Sequence, residues 1–188
     1  MLMYIEEERK CVKIAGFRNV KIGEAEEFLR EIRKEKQEKT AVQFLNAELV
    51  ATWQHLYFAV LNALMAFRNK SNTSKSVAME IMLYASAQRQ IRKAIELIGV
   101  KRDTLNIAVV IVGENSGKVQ AVLSEVSKLI GAEPDEEVLK MSENKMQSVC
   151  RAFDITEKEL GTVMKENNLE QAVVDLVIER MALLATQL

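Results

Sequence analysis

The sequence has little of several residue types that commonly build metal centres, disulfide frameworks and flexible linkers. Its 188 residues include one histidine (His55), two cysteines (Cys11 and Cys150), one proline and seven glycines. A single histidine excludes a multi-histidine metal centre, and the two cysteines lack the close spacing of a metal or redox pair. The thiols are therefore expected to be free and reduced, which suits a cytoplasmic protein. So few prolines and glycines leave little material for long flexible linkers.

Long apolar runs and catalytic motifs are also missing. No run approaches the roughly 20 apolar residues of a membrane span, and the first ten residues show no signal pattern. The turn Gly113–Lys118 resembles a phosphate-binding loop, but only three residues separate its glycines and Val119 replaces the expected Ser or Thr. A plain strand-to-helix turn is the better interpretation, and a nucleotide-binding enzyme using this turn is the alternative. We predict no catalytic residue, no metal and no cofactor.

The apolar spacing predicts short strands mixed with longer helices. A β-branched run at 104–112 indicates a central strand covered on both faces. The other strands are predicted at 2–5, 11–17 and 41–45. Helices are predicted around 25–32, 48–68, 77–85, 91–98 (with Gly99 as a left-handed cap), 116–130, 142–153, from a capping box at Thr156–Glu159, and at 169–184. The fold class is therefore α+β: a small, mostly antiparallel sheet layered with helices, plus a C-terminal helical segment.

Charge is distributed unevenly along the chain. Residues 68–102 carry eight Lys or Arg against two Asp or Glu, whereas residues 133–188 carry six against twelve. We expect residues 1–132 to form an α+β core domain that carries the basic patch. Residues 133–188 are expected to form a helical lobe packed on it, so that the whole is a single compact unit. A basic centre and an acidic C-terminal segment can serve different partners, although solvated helix faces could also differ in sign.

The basic segment has the ingredients of a single-stranded RNA site. We predict that Arg89, Arg92 and Lys93 share one helix face, opposite the apolar residues Ile91, Ala94 and Ile95. Backbone N–H groups at a helix start favour phosphate, amide side chains can bind base edges, and aromatic rings can stack on bases. A solvated helix above core aromatics would look the same. The predicted RNA-binding residues of this segment are Arg68, Lys70, Lys75, Gln88, Arg89, Gln90, Arg92 and Lys93.

Three segments resemble one known family: residues 43–52 (QFLNAELVAT) with His55, residues 79–91 (MEIMLYASAQRQI) and residues 94–99 (AIELIG). They are similar to the small kinase-binding subunit of the KEOPS complex, the family of the human PRPK-binding protein and its archaeal counterparts. The stretch from Ala85 to Ile91 is the most specific, and it resembles the archaeal members more closely.

The resemblance implies a non-catalytic subunit whose complex makes N6-threonylcarbamoyladenosine in transfer RNA. It implies binding to a small atypical kinase/ATPase and recruitment of tRNA through its single-stranded 3′ CCA end. Because they belong to the family signature, Asn46 and His55 are added to the predicted RNA-binding residues. For His55 we favour a structural role within the helices over stacking on a base.

The last helix has a wide apolar band, which predicts either deep burial or a surface shared with another chain. We predict that Val174, Ile178 and Met181 contact the kinase, with acidic residues of the same segment around them. Burial within this chain is the alternative.

Overall fold

The structure is a computed structural model that describes residues 1–20, 40–166 and 168–186. The predicted helix around residues 25–32 lies outside the described residues. The strands are β1 (Leu2–Ile5), β2 (Lys10–Phe17), β3 (Ala41–Asn46) and β4 (Ile107–Gly113). The helices are α1 (Trp53–Arg68), α2 (Val77–Ala85), α3 (Ile91–Ile98), α4 (Ser116–Ile130), α5 (Glu143–Ala152), α6 (Glu157–Val163) and α7 (Leu169–Thr186). The α+β class is confirmed.

The chain divides into two compact units that are each discontinuous in sequence. The first comprises residues 1–47 and 100–138, and the second comprises residues 48–99 and 139–188. This grouping differs from the expected division between residues 132 and 133. The reason is that α1 packs against both α2 and α7, so α1–α3 group with the C-terminal helices rather than with the sheet.

The first unit is a four-stranded antiparallel sheet with the order β1-β2-β4-β3. Every residue of β4 is buried, which confirms the prediction of a central strand covered on both faces. Helix α4 covers one face, where its valines and leucine at 119, 122, 123 and 126 pack against Phe17, Phe44, Val109 and other strand residues. Asn115 caps this helix by accepting a hydrogen bond from the Lys118 N–H at 2.9 Å.

The second unit is helical, and its first helix differs from the predicted one at 48–68. Helix α1 begins at Trp53 rather than near residue 48, because residues 47–49 form a separate 3-10 turn and Thr52 is extended. Its buried side is formed by small and medium side chains, among them Leu56, Ala59 and Ala63, whereas Trp53 and Tyr57 are only half-buried. Small residues at the contact let neighbouring helices approach closely.

Helix α3 also departs from its predicted stripe. Ala94 and Ile98 are buried as expected, but Ile91 and Ile95 are 42% and 45% exposed. The helix has only eight residues, so a stripe two residues wide is enough to anchor it.

Several helices end in the left-handed conformation at residues other than glycine. Lys70, Ala87 and Asp154 have φ of 58°, 49° and 51°. After α2, the Gln88 N–H donates to the Leu83 carbonyl and the Ala87 N–H to the Tyr84 carbonyl, which is a Schellman motif with alanine at its strained position. Glycine would adopt this conformation with less strain.

Two glycines follow helices, and only Gly99 was predicted as a left-handed cap. Gly131, after α4, has the left-handed conformation with φ of 71°. The prediction for Gly99 is wrong, because its backbone is extended with φ of −66°. Glycine fits there for another reason: a Cβ atom would lie 2.4 Å from the carbonyl oxygen of Ile95.

The predicted starts of two C-terminal helices are confirmed. Ser142 accepts a hydrogen bond from the Lys145 N–H at the start of α5. Thr156 and Glu159 form the full capping box of α6, and the Glu159 carboxylate also pairs with Arg180 of α7. These bonds hold the pKa of Glu159 down at about 2.

Candidate RNA interface

The predicted basic residues lie in the second unit, between the end of α1 and the first turn of α3. Arg68 is the last residue of α1, Lys70 follows it, and Lys75 precedes α2. All three are exposed. Asn46 is the exception, because it ends β3 in the first unit. We therefore leave Asn46 out of the candidate site.

The turn between α2 and α3 carries Gln88, Arg89 and Gln90. The prediction that Arg89 shares a helix face with Arg92 and Lys93 is wrong, because α3 begins only at Ile91 and Gln90 is its cap residue. Arg92 pairs with Glu96 at 2.8 Å within α3. Arg89 instead extends from the turn in the direction of a cleft.

That cleft has a volume of about 180 Å³, and two of the predicted RNA-binding residues, Gln88 and Arg89, line it. It is smaller than the roughly 300–1,000 Å³ of sites for drug-sized ligands. Such a cleft suits a single group at the end of a longer ligand. Its lining residues are Asn62, Met65, Ala66, Asn69, Ser71, Thr73, Glu80, Leu83, Tyr84, Gln88, Arg89 and Leu184.

Glu80 shapes one wall of the cleft. Its side chain is buried, and its carboxylate accepts hydrogen bonds from the backbone N–H groups of Thr73 at 3.1 Å and Ser74 at 2.7 Å. Two such bonds compensate much of the cost of burying a carboxylate. Glu80 therefore fixes the loop between α1 and α2, so that Ser71 and Thr73 line the cleft.

Tyr84 and Arg89 provide an aromatic ring and a cation. Burial raises the pKa of Tyr84, the Glu80 carboxylate raises it further, and Arg89 opposes this. The Tyr84 hydroxyl is therefore a neutral group. Arg89 is exposed, and its Nη2 donates to the main-chain carbonyl of Leu184 at 3.2 Å. Together the lining offers amides, hydroxyls, one phenol and one guanidinium, which is the chemistry that binds a nucleobase and its phosphate.

His55 is structural in this geometry. The side chain is fully buried, Nδ1 accepts from the Ala51 N–H at 3.2 Å, and Nε2 lies 2.8 Å from the Ala85 carbonyl, to which it donates. The Phe153 ring meets the imidazole edge-on at a centroid distance of 5.5 Å. Burial, more than the repulsion from Lys145, lowers the pKa of His55 to about 4. A neutral, enclosed ring cannot stack on a base, so the favoured interpretation of His55 agrees with the structure.

Two of the three predicted kinase contacts on α7 are buried within this chain. Val174 and Met181 are 2% and 0% exposed and belong to the core of the second unit, because α1 and α2 pack against this side of α7. Ile178 alone is half-buried. The exposed side of α7 carries Asp175 and Glu179 instead.

The Gly113–Lys118 turn does not have the geometry of a phosphate loop. The Asn115 side chain occupies the Lys118 N–H, and the Lys118 ammonium lies 3.3 Å from the Glu114 carboxylate. A phosphate would have to displace both partners. This disfavours the nucleotide-binding alternative.

Two other kinds of site are absent from the described ranges of the chain. Within them, no group of three or more His, Cys, Asp or Glu side chains is arranged to hold a metal ion. Nor does any described helix combine the length and apolarity that crossing a membrane requires.

Sequence reasoning missed most of the cleft. Asn62, Asn69, Ser71, Thr73 and Leu184 were not predicted, because ordinary polar residues on a helix or loop carry no distinguishing pattern. The Glu80 carboxylate offered one signal: an acid at the start of a helix of otherwise apolar residues indicates a buried group with a specific partner.

Comparison with known proteins adds two findings. Residues 17–185 match the family described as kinase binding protein CGI-121. The regulatory protein Cgi121 of Methanocaldococcus jannaschii is 34% identical over 142 residues, which cover 76% of this chain and 81% of that protein.

Proposed function

This chain belongs to the CGI-121 family of kinase-binding proteins, and we propose that it is a non-catalytic subunit of a KEOPS complex. In this proposal it binds the small atypical kinase/ATPase of the complex. It also recruits tRNA through the 3′ CCA end for N6-threonylcarbamoyladenosine modification. Its place of action is the cytoplasm.

The cleft beside Arg89 is the observation that carries the RNA part of the proposal. Its size suits one terminal nucleoside, and Asn62 and Asn69 can pair with the edges of a base. Gln88 and Arg89 line the same cleft, so a phosphate bound by Arg89 would be adjacent to a base inside it. An unpaired terminal nucleotide can place both groups in the cleft, whereas bases in the middle of a duplex are already paired and stacked.

The surrounding charge supports the same ligand. The exposed basic side chains of Arg68, Lys70 and Lys75 lie in the segment that forms the loop wall of the cleft. Each phosphate contact neutralised on a single strand steepens the log–log salt dependence of binding by about 0.7. Two or three such contacts would therefore give a measurable salt slope.

Charge reversal of Arg89 tests the RNA proposal. Arg89→Glu is expected to weaken the binding of tRNA by at least about tenfold, because a charge-assisted contact is replaced by repulsion. Arg151→Glu is the matched control, since Arg151 is an exposed arginine on α5. Dissociation constants would be measured by fluorescence anisotropy with intact tRNA and with tRNA trimmed of its CCA end. Equal losses for both variants, or unchanged affinity for trimmed tRNA, would refute the placement.

The kinase contact is proposed for the exposed side of α7. Ile178 is half-buried there, and the neighbouring acids Asp175 and Glu179 can meet a basic partner surface. Because Ile178 also packs in part against the core of the second unit, the exposed Glu179 is the better position to test. Glu179→Lys is expected to keep the melting temperature and tRNA affinity while abolishing co-purification with the kinase. Retained kinase binding by a folded variant would move the interface elsewhere.

Labelled ATP distinguishes this function from the nucleotide-binding alternative. We expect no binding to the isolated chain, because Asn115 and Glu114 already occupy the groups that a phosphate would need. Saturable binding that is lost in Lys118→Ala would instead support an enzyme.

A further inference from the structure

The end of α7 forms the wall of the cleft that is most distant in sequence from the basic segment. Leu184 lines the cleft together with Arg89, and the two residues are 95 positions apart. Its neighbour Leu183 is 44% exposed. The last turn of this helix therefore borders the proposed RNA site.

The contact between these residues has a clear electrostatic basis. The last four carbonyl groups of a helix lack intrahelical partners, and this end of the helix carries negative partial charge. The Arg89 guanidinium donates from Nη2 to one of these carbonyls, that of Leu184. The bond is therefore charge-assisted, and it restricts the rotamers of a long side chain.

We propose that the last turn of α7 positions Arg89 for the RNA phosphate by holding its guanidinium through the Leu184 carbonyl. This inference rests on the proposed RNA function of the cleft and adds a positioning element from the far end of the chain. A guanidinium has five N–H donors in a fixed planar arrangement. One bond to a backbone carbonyl therefore restricts where the remaining donors can point.

Affinity for RNA depends, on this view, on how well the last turn is formed. When the arginine side chain is already ordered, binding does not incur the entropy cost of restricting the arginine rotamers. Preorganisation therefore raises the affinity for RNA. The coupling is reciprocal: bound RNA should also stabilise the last turn of α7.

Helix-weakening substitutions in the full chain test the inference. Ala182→Gly loosens the last turn without touching the cleft, because Ala182 is an exposed residue of α7. Ala121→Gly is the matched control in the exposed face of α4. The probe is a labelled tRNA that ends in CCA, and melting curves verify that each variant is folded. We expect binding about threefold weaker for Ala182→Gly and unchanged for Ala121→Gly.

A double variant completes the thermodynamic cycle. If the last turn acts only through Arg89, the combination of Arg89→Ala with Ala182→Gly binds no more weakly than Arg89→Ala alone. Unchanged or tighter binding by Ala182→Gly would overturn the inference, and so would independent, multiplicative losses. An Arg89→Ala variant that binds like wild type would instead remove the RNA function proposed for the cleft.

Discussion

His55 makes the stability of this protein depend on pH between about 4 and 6.5. Histidine is the side chain that ordinarily changes its charge near neutral pH. His55 is the single histidine, and its pKa is lowered from 6.5 to about 4 by burial. The folded state therefore binds a proton less readily than the unfolded state. Stability is fully present above about pH 6.5 and is lost as the pH falls towards 4.

The magnitude follows from the two pKa values. Each tenfold difference in proton affinity is worth about 1.4 kcal/mol, so the complete effect is about 3 kcal/mol. Between pH 7.5 and pH 5 the loss is about 2 kcal/mol, because the folded-state ring is still mostly neutral at pH 5. Protonation would also place a hydrogen on Nδ1, which would then face the Ala51 N–H instead of accepting from it.

His55→Gln is the variant that isolates this effect. A glutamine can accept from the Ala51 N–H and donate to the Ala85 carbonyl, but it cannot gain a charge. Urea unfolding would be measured at both pH values for the wild type and the variant. We expect about 2 kcal/mol of pH-dependent loss in the wild type and little in His55→Gln. Equal losses in both proteins would show that other groups are responsible.

Two further predictions concern backbone strain and a buried charge. Ala87→Gly should raise the free energy of unfolding by about 0.5–1 kcal/mol, because glycine adopts the positive φ of this position without strain; Ala78→Gly within α2 is the destabilising control. Lys145 is 3% exposed, and burial lowers its pKa to about 8 despite the attraction of Glu48 and Glu170. Because the unfolded lysine holds its proton more tightly, stability should rise by about 2 kcal/mol between pH 7 and pH 10. Lys145→Met should remove that rise in thermal unfolding, and an unchanged profile would contradict the assigned pKa.

Local signals in the sequence were sufficient to predict the fold class. The β-branched run at 104–112 indicated a covered central strand, and the Thr156–Glu159 pattern indicated a helix start. These features depend on residues that are close in sequence. The outward position of Ile91 and Ile95 was not predictable, because an apolar stripe shows which residues share a face but not how much of it a neighbour covers.

The candidate site was predictable only in part. An excess of Lys and Arg around the Gln88–Gln90 segment indicated where RNA could bind. The cleft itself is formed by residues that are spread along the sequence from 62 to 184. The burial of Met181 could not be predicted from the sequence either, because a wide apolar band on a helix is compatible with both a core and an interface. Which of these holds is decided by helices far away in the sequence.

The discontinuity of the second unit also determines the order in which it can fold during translation. Its core joins Ala51 to residues between Val149 and Val177, and strand β4 and helix α4 of the first unit are synthesised in between. Helices α1 and α2 pack against each other, but their contacts with α7 can form only after α7 has emerged from the ribosome. Contacts of such long sequence separation slow folding and leave nascent chains prone to aggregation. A ribosome stalled before α7 would hold a chain that has its sheet but not its cleft.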